Sequence, residues 1–140
     1  MATFSWSCLW ASGRLPSMLK LLVLATGGAL GTLARYGLNG LISQRFATFP
    51  LGTMIVNITG CFAIGLFATL ALRSEWRDFL MIGFCGGYTT FSSFGFQTLN
   101  LARDGQWLFV ALNVIGSNAL GLLAVYAGWV CGRFLNGGNT

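Results

Sequence analysis

Two adjacent glycines and four serine or threonine hydroxyls fall between Gly86 and Ser93, inside the stretch "GGYTTFSSFGF". Each glycine lowers helix stability by about 1 kcal/mol relative to alanine. The hydroxyls of Thr89, Thr90, Ser92 and Ser93 compete for backbone hydrogen bonds. Two readings follow. Either the helix breaks here and frees carbonyl oxygens, hard ligands suited to a small cation, or it continues with its hydroxyls bonded back to the preceding turn. Phe91 and Phe94, three residues apart, share a face if helix resumes. The edge of a phenyl ring is electropositive, so two edges could face an anion; ordinary packing of the rings is the other reading.

Further polar groups sit in otherwise apolar surroundings. Asn57 lies in "GTMIVNITG", and Asn113 and Ser117 lie four apart in "LNVIGSNALG", on one helical face, with Asn118 on a neighbouring face. Amide and hydroxyl donors can replace part of an anion's hydration shell, or bond helix to helix. Arg35 is the one charge drawn toward an apolar run; such charges face a cavity or snorkel to the interface. No acid lies inside the apolar runs and the chain has no histidine. Proton-coupled transport relies on intramembrane ionisable groups, and hydrolysis needs a base, so both chemistries are disfavoured and no enzyme activity is expected.

The elements that must position these residues are membrane helices. Of 140 residues 55% are hydrophobic and 8% charged, against about 25% charged in soluble domains. Leu51 to Leu72 carries no formal charge, and roughly 20 such residues cross a bilayer. Four spans are expected: 18–41, 51–72, 79–102 and 107–131, forming one membrane domain over 18–140. Pro50 suits the start of the second. Gly27 with Gly31, and Ala124 with Gly128, are spaced for close helix contact. Residues 1–17 make a poor signal peptide and are expected to be a disordered extension. The four cysteines have neither paired nor metal-ligand spacing. The net charge of +5 comes from scattered residues, which favours lipid headgroups over nucleic acid as the partner. Basic residues divide weakly between the two sides: Arg14, Lys20, Arg73, Arg77 and Arg133 against Arg45, Arg103 and Arg35 if it lies low in its helix. So weak a bias permits insertion in both directions.

With these residues in place, the sequence closely resembles the small fluoride channel family called Fluc or CrcB. "GGALGTLARY", "GTMIVN", "GFCGGYTTFSSF" and "NVIGS" are similar to its first, second, third and fourth helix motifs in order. The resemblance implies an all-α membrane protein with four transmembrane helices per subunit, the third broken mid-membrane. It implies an antiparallel, dual-topology homodimer in the bacterial inner membrane, with two narrow pores passing fluoride passively outward to relieve toxicity. It also implies a structural sodium ion at the dimer centre, held by the carbonyls of Gly86 and Thr89. By the same resemblance Phe91, Phe94, Asn57, Ser93, Asn113 and Ser117 line the fluoride path, and Arg35 its vestibule. The chain departs from the family pattern at Gly95, Gln97 and Gly121, and a paralogue could replace the second copy. Two other classes remain open from the residues: a small multidrug exporter, which would need a membrane-embedded glutamate, and a non-transporting scaffold subunit, in which Phe91 and Phe94 only pack.

Overall fold

A computed structural model describes residues 17–45 and 48–137. The expected N-terminal extension lies outside them except for Ser17. That residue caps the first helix, its hydroxyl oxygen accepting from Lys20 N at 3.3 Å, as serine does at helix starts. The regular elements of the described residues are all helices, with no strands: α1 (Met18–Ser43), α2 (Leu51–Thr69), α3 (Ser74–Arg77), a π-helix π1 (Asp78–Cys85), α4 (Gly86–Tyr88), α5 (Phe91–Arg103) and α6 (Trp107–Leu135).

Three of these helices, α1, α2 and α6, are long and apolar enough to cross a membrane. Their outward residues are large and hydrophobic; Leu22, Leu33, Leu108, Ile115, Leu122 and Tyr126 are all exposed. Such a surface suits hydrocarbon and not water. The expected third span is a chain of short pieces from α3 to α5, none of which is long enough alone. Its first part is π-helical, with i→i+5 bonding, where regular helix was expected. Turns of this kind cluster near functional sites, and no residue pattern distinguishes them from α-helix. The second span ends at Thr69, earlier than expected, because Leu70 takes an extended conformation (φ −73°, ψ 139°) and the freed Thr69 carbonyl accepts from Asn136 Nδ2.

Helix contacts form at the small residues. α2 packs along α6, where Gly65 meets the Val125 carbonyl and Gly128 meets the Phe62 carbonyl. α1 lies along π1 and α4, with Gly27 and Gly31 both buried at the contact. A Cβ on Gly27 would stand 2.7 Å from the Phe79 carbonyl oxygen, and one on Gly31 would collide with that of Phe84. At one end of the bundle Lys20 Nζ pairs with Asp78 at 3.1 Å, tying the start of α1 to the start of π1. Among the described residues the largest fully buried side chains are only Val56, Cys85 and Asn113, so the interior is thin and depends on backbone proximity. Replacing Gly31 with valine should therefore cost about 1–3 kcal/mol or more by overpacking. A thermal melt of the purified variant in detergent checks this, and an unchanged midpoint would show that α1 and π1 do not make this contact.

Candidate functional site

The helix does break. Thr89 (φ −79°, ψ 155°) and Thr90 (φ −149°, ψ 115°) are both extended, so the reading of an unbroken helix is set aside. Thr89 makes the last bonds of α4, giving its N–H and its hydroxyl to the Cys85 carbonyl, each at 2.9 Å. Thr90 begins α5 as its N-cap: Oγ1 accepts from Ser93 N at 3.1 Å and donates to Ser93 Oγ at 3.1 Å. A threonine at an N-cap satisfies one of the orphan amides at a helix start.

The break leaves backbone groups needing partners, and α2 supplies them through one side chain. Thr90 N–H donates to Asn57 Oδ1 at 2.8 Å, and Asn57 Nδ2 donates to the Thr90 carbonyl at 3.0 Å. Thr90 is 7% exposed, so water is not a substitute partner, and an orphaned buried group costs about 1–3 kcal/mol. In a continuous helix Thr90 N–H would serve the Gly86 carbonyl and Ser93 N–H the Thr89 carbonyl. Both amides are committed elsewhere, so the carbonyls of Gly86 and Thr89 are released from their helical partners.

Two more contacts fix the break against α2. Gly60 receives the Thr89 methyl and the Tyr88 ring, and any Cβ there would overlap Thr89. Beside it, Thr59 Oγ1 and Tyr88 Oη lie 2.8 Å apart. The Thr59 hydroxyl donates to the Ile55 carbonyl at 2.8 Å, which leaves Tyr88 as donor to Thr59. The Tyr88 ring also stacks on Phe84, with centroids 5.7 Å apart.

The polar residues of α6 join this structure through a residue that the sequence did not single out. Ser117 Oγ donates to Asn113 Oδ1 at 3.3 Å, Asn113 Nδ2 donates to Thr98 Oγ1 at 2.9 Å, and Thr98 donates to the Phe94 carbonyl at 2.7 Å. The result is a hydrogen-bonded line from α6 to the Phe pair. Thr98 lies one turn after Phe94, and that spacing is the signal that would have found it. Asn118 bonds only within its helix, to the Val114 carbonyl.

A groove of about 550 Å³ runs along this face, and Asn57, Gly86, Thr89, Phe91, Phe94 and Ser117 all line it. Phe91 and Phe94 have centroids 5.5 Å apart at 41°, and Phe91 is 81% exposed in the single chain. Ser93 sits on the Thr90 cap, and Asn113 is buried behind Ser117. Arg35, half-buried on α1 one turn past Gly31, is not among the groove-lining residues. No acid lines the groove.

The comparisons with known proteins fit this geometry. Residues 22–129 match the family described as CrcB-like protein, Camphor Resistance (CrcB). The chain belongs to the CrcB family. It is 50% identical over 127 residues to the Fluoride-specific ion channel FluC of Paramagnetospirillum magneticum, covering 85% of this chain and 99% of that one. Proteins of the same name in Rhodospirillum rubrum and Opitutus terrae are 47% and 48% identical over 84% and 82% of this chain, and over 97% and 93% of their own lengths. With its apolar helices, the CrcB chain is a multi-pass membrane protein.

The Asn57 clamp yields a stability prediction. Asn57→Leu keeps the bulk of the side chain and orphans both groups of Thr90, so the protein should lose about 2–4 kcal/mol of stability. Unfolding in a denaturant series, compared with a surface control such as Leu122→Ala, measures it; equal losses would show that Asn57 does not hold the break.

Proposed function

We propose that this protein is a fluoride-specific ion channel of the bacterial inner membrane, passing fluoride passively and carrying out no catalysis. The near full-length similarity to relatives that bear that name carries the reading, and the groove supplies a chemistry that suits it.

On this reading the chain crosses the membrane four times, with α3 to α5 as the third crossing. The Lys20–Asp78 pair supports it, because the first and third crossings must start on the same side. The working unit is an antiparallel dual-topology dimer. Irregular backbone at membrane depth is tolerated only inside protein or beside water, yet in the single chain Gly86 and Phe91 are exposed, so a second copy covering this face would bury them. The weak charge bias of the loops is consistent with insertion both ways.

A sodium ion at the dimer centre is part of the proposal. The fit rests on the two carbonyls released by the break, those of Gly86 and Thr89, and on open space around Gly86, where a Cβ would meet nothing within 4 Å. Hard oxygen donors of this kind suit a small cation. When bound, sodium would be held by these carbonyls and would supply a positive charge at the centre of the dimer. The residues of the chain do the rest: Asn57 holds the break in shape, and Tyr88 anchors it to α2.

Fluoride passes along the groove. The edges of Phe91 and Phe94 offer weak positive potential, enough to stabilise an anion without trapping it. Asn57 has two Nδ2 hydrogens, of which one serves Thr90 and the other remains for the anion. Ser93, whose Oγ accepts from Thr90, keeps its hydroxyl hydrogen for the anion; Ser117 donates to Asn113 as the groove stands and would have to turn its hydroxyl to serve an ion, and Arg35 biases the vestibule toward negative ions. The absence of any acid from the groove argues against a multidrug exporter, which exchanges protons through a membrane carboxylate.

Liposomes containing the protein should release fluoride far faster than chloride in an electrode assay; equal rates for both halides would overturn the channel's selectivity. Replacing both Phe91 and Phe94 with isoleucine should abolish fluoride release while the dimer still elutes intact. Conduction by that variant would make the rings packing residues, as in a scaffold subunit.

A further inference from the structure

At the end of the bundle where α1 and α5 terminate and α2 and α6 begin, a second cavity of about 320 Å³ is lined by Ser43, Thr48, Gln97, Asn100, Asp104 and Gln106 among others. Gln97, Asn100 and Asp104 are spaced to lie along one face of α5. Gln106 is brought over the same face by the turn that ends α5. Gly105 adopts the left-handed conformation (φ +70°), its N–H donates to the Ala102 carbonyl at 3.1 Å, and Gln106 N–H donates to the Leu101 carbonyl at 2.9 Å. This is the Schellman pattern, which folds the chain back across the last helical turn.

Two buried acceptors of this cavity lack partners. Gln97 Oε1 and Gln106 Oε1 are both buried with no hydrogen-bond partner in the protein. Asp104 adds a carboxylate, and it belongs to neither of the two ion pairs found among the described residues, Lys20–Asp78 and Arg73–Glu75. No lysine or arginine lines the cavity. Two helices end and two begin here, so their dipoles oppose one another and the side chains decide the sign of the ligand. Two unpaired amide oxygens, the Asn100 amide oxygen, hydroxyls and one carboxylate supply hard oxygen donors beside the amide nitrogens, and such donors suit hard metal cations.

We propose that this cavity binds a hard cation of the sodium and calcium class, held by Asp104 and the side-chain oxygens of Gln97 and Gln106, with Asn100 completing the set. A single formal charge in the site implies weak, exchangeable binding, since affinity for such ions rises with the number of charged ligands. The site does not depend on how the groove conducts. A cation held there would nonetheless neutralise the Asp104 carboxylate, which otherwise repels anions.

Terbium(III), a luminescent hard cation, tests the site in the purified full-length protein, with Trp107 next to Gln106 as the sensitiser. Tryptophan-excited terbium emission should saturate and be displaced by calcium, and by sodium at higher concentration. Asp104→Asn should weaken terbium binding about tenfold, and Gln97→Glu, which adds a second carboxylate, should strengthen it about tenfold. Glu75→Gln, in α3 at the opposite end, should change nothing. Gln106→Met, which removes one oxygen at similar volume, should weaken binding even if Asp104→Asn fails to fold. Absence of saturable emission, or identical affinities in all the cavity variants, overturns the site. So does halide binding there that increases in Asp104→Asn, which would mark an anion vestibule. Fluoride release, measured separately, reports on the channel alone.

Discussion

A helix that breaks in an apolar environment must find partners for the backbone groups it frees, and here that need is met by the two-point bond between Asn57 and Thr90. Much of the remaining architecture keeps that bond possible. Consecutive residues on a helix are about 100° apart around its axis, so a one-residue shift of α2 would swing the Asn57 amide away from Thr90. Gly60 sets how closely α2 approaches the break, and the contacts of Gly65 and Gly128 set the rotation of α2 against α6. α1 presses on π1 from the other side through Gly27 and Gly31. Small residues thus place a polar clamp to within hydrogen-bond tolerance in a molecule with few buried side chains to do it.

The bond also explains how one residue serves two needs. An asparagine side chain matches the donor and acceptor of a peptide unit, so it satisfies Thr90 as a neighbouring strand would, and it retains an uncommitted N–H. An aspartate could accept from Thr90 N–H but could not donate to its carbonyl, and would bring a charge into the groove. A leucine would satisfy neither group. The released carbonyls of Gly86 and Thr89 are the complement of the same event: the amides that would have paired them in a helix have been drawn to Asn57 and to the Thr90 hydroxyl.

The sequence was most informative where structure is local. Apolar runs marked α1, α2 and α6, glycine spacing marked the contacts at Gly27, Gly31 and Gly128, and the glycines and hydroxyls around Thr89 marked the break, because each depends on residues close in the chain. What it did not reveal depends on rotation between helices. Asn57 could be recognised as a polar residue of interest, but its pairing with Thr90 needs the register of α2 against α5. Thr98 and the Thr59–Tyr88 bond escaped notice for the same reason, since a hydroxyl in an apolar helix usually bonds to its own preceding turn. The π-helical bonding of π1 has no compositional mark, and the Gln106 amide reaches the α5 face only through the tertiary fold of the Gly105 turn.

The distribution of polarity bears on how an anion could be handled without a strong binding charge. The groove holds neither an acid to repel an anion nor, among its lining residues, a base to trap one. Its polar groups are neutral, and Ser117 is held by a hydrogen-bonded line that runs behind the groove through Asn113 and Thr98 to the Phe94 carbonyl. Preorganised neutral donors are held in place by the packing that sets their partners, so they lose little freedom when an ion arrives. Each is also weak enough to release it. A full charge at the same point would favour binding over passage, since conduction needs occupancy that is favourable yet easily left. On the proposed reading, formal charge is therefore kept out of the groove lining, with Lys20, Asp78 and Asp104 at the ends of the bundle and Arg35 beside the path, and the middle relies on ring edges, amides and hydroxyls held in register by glycine.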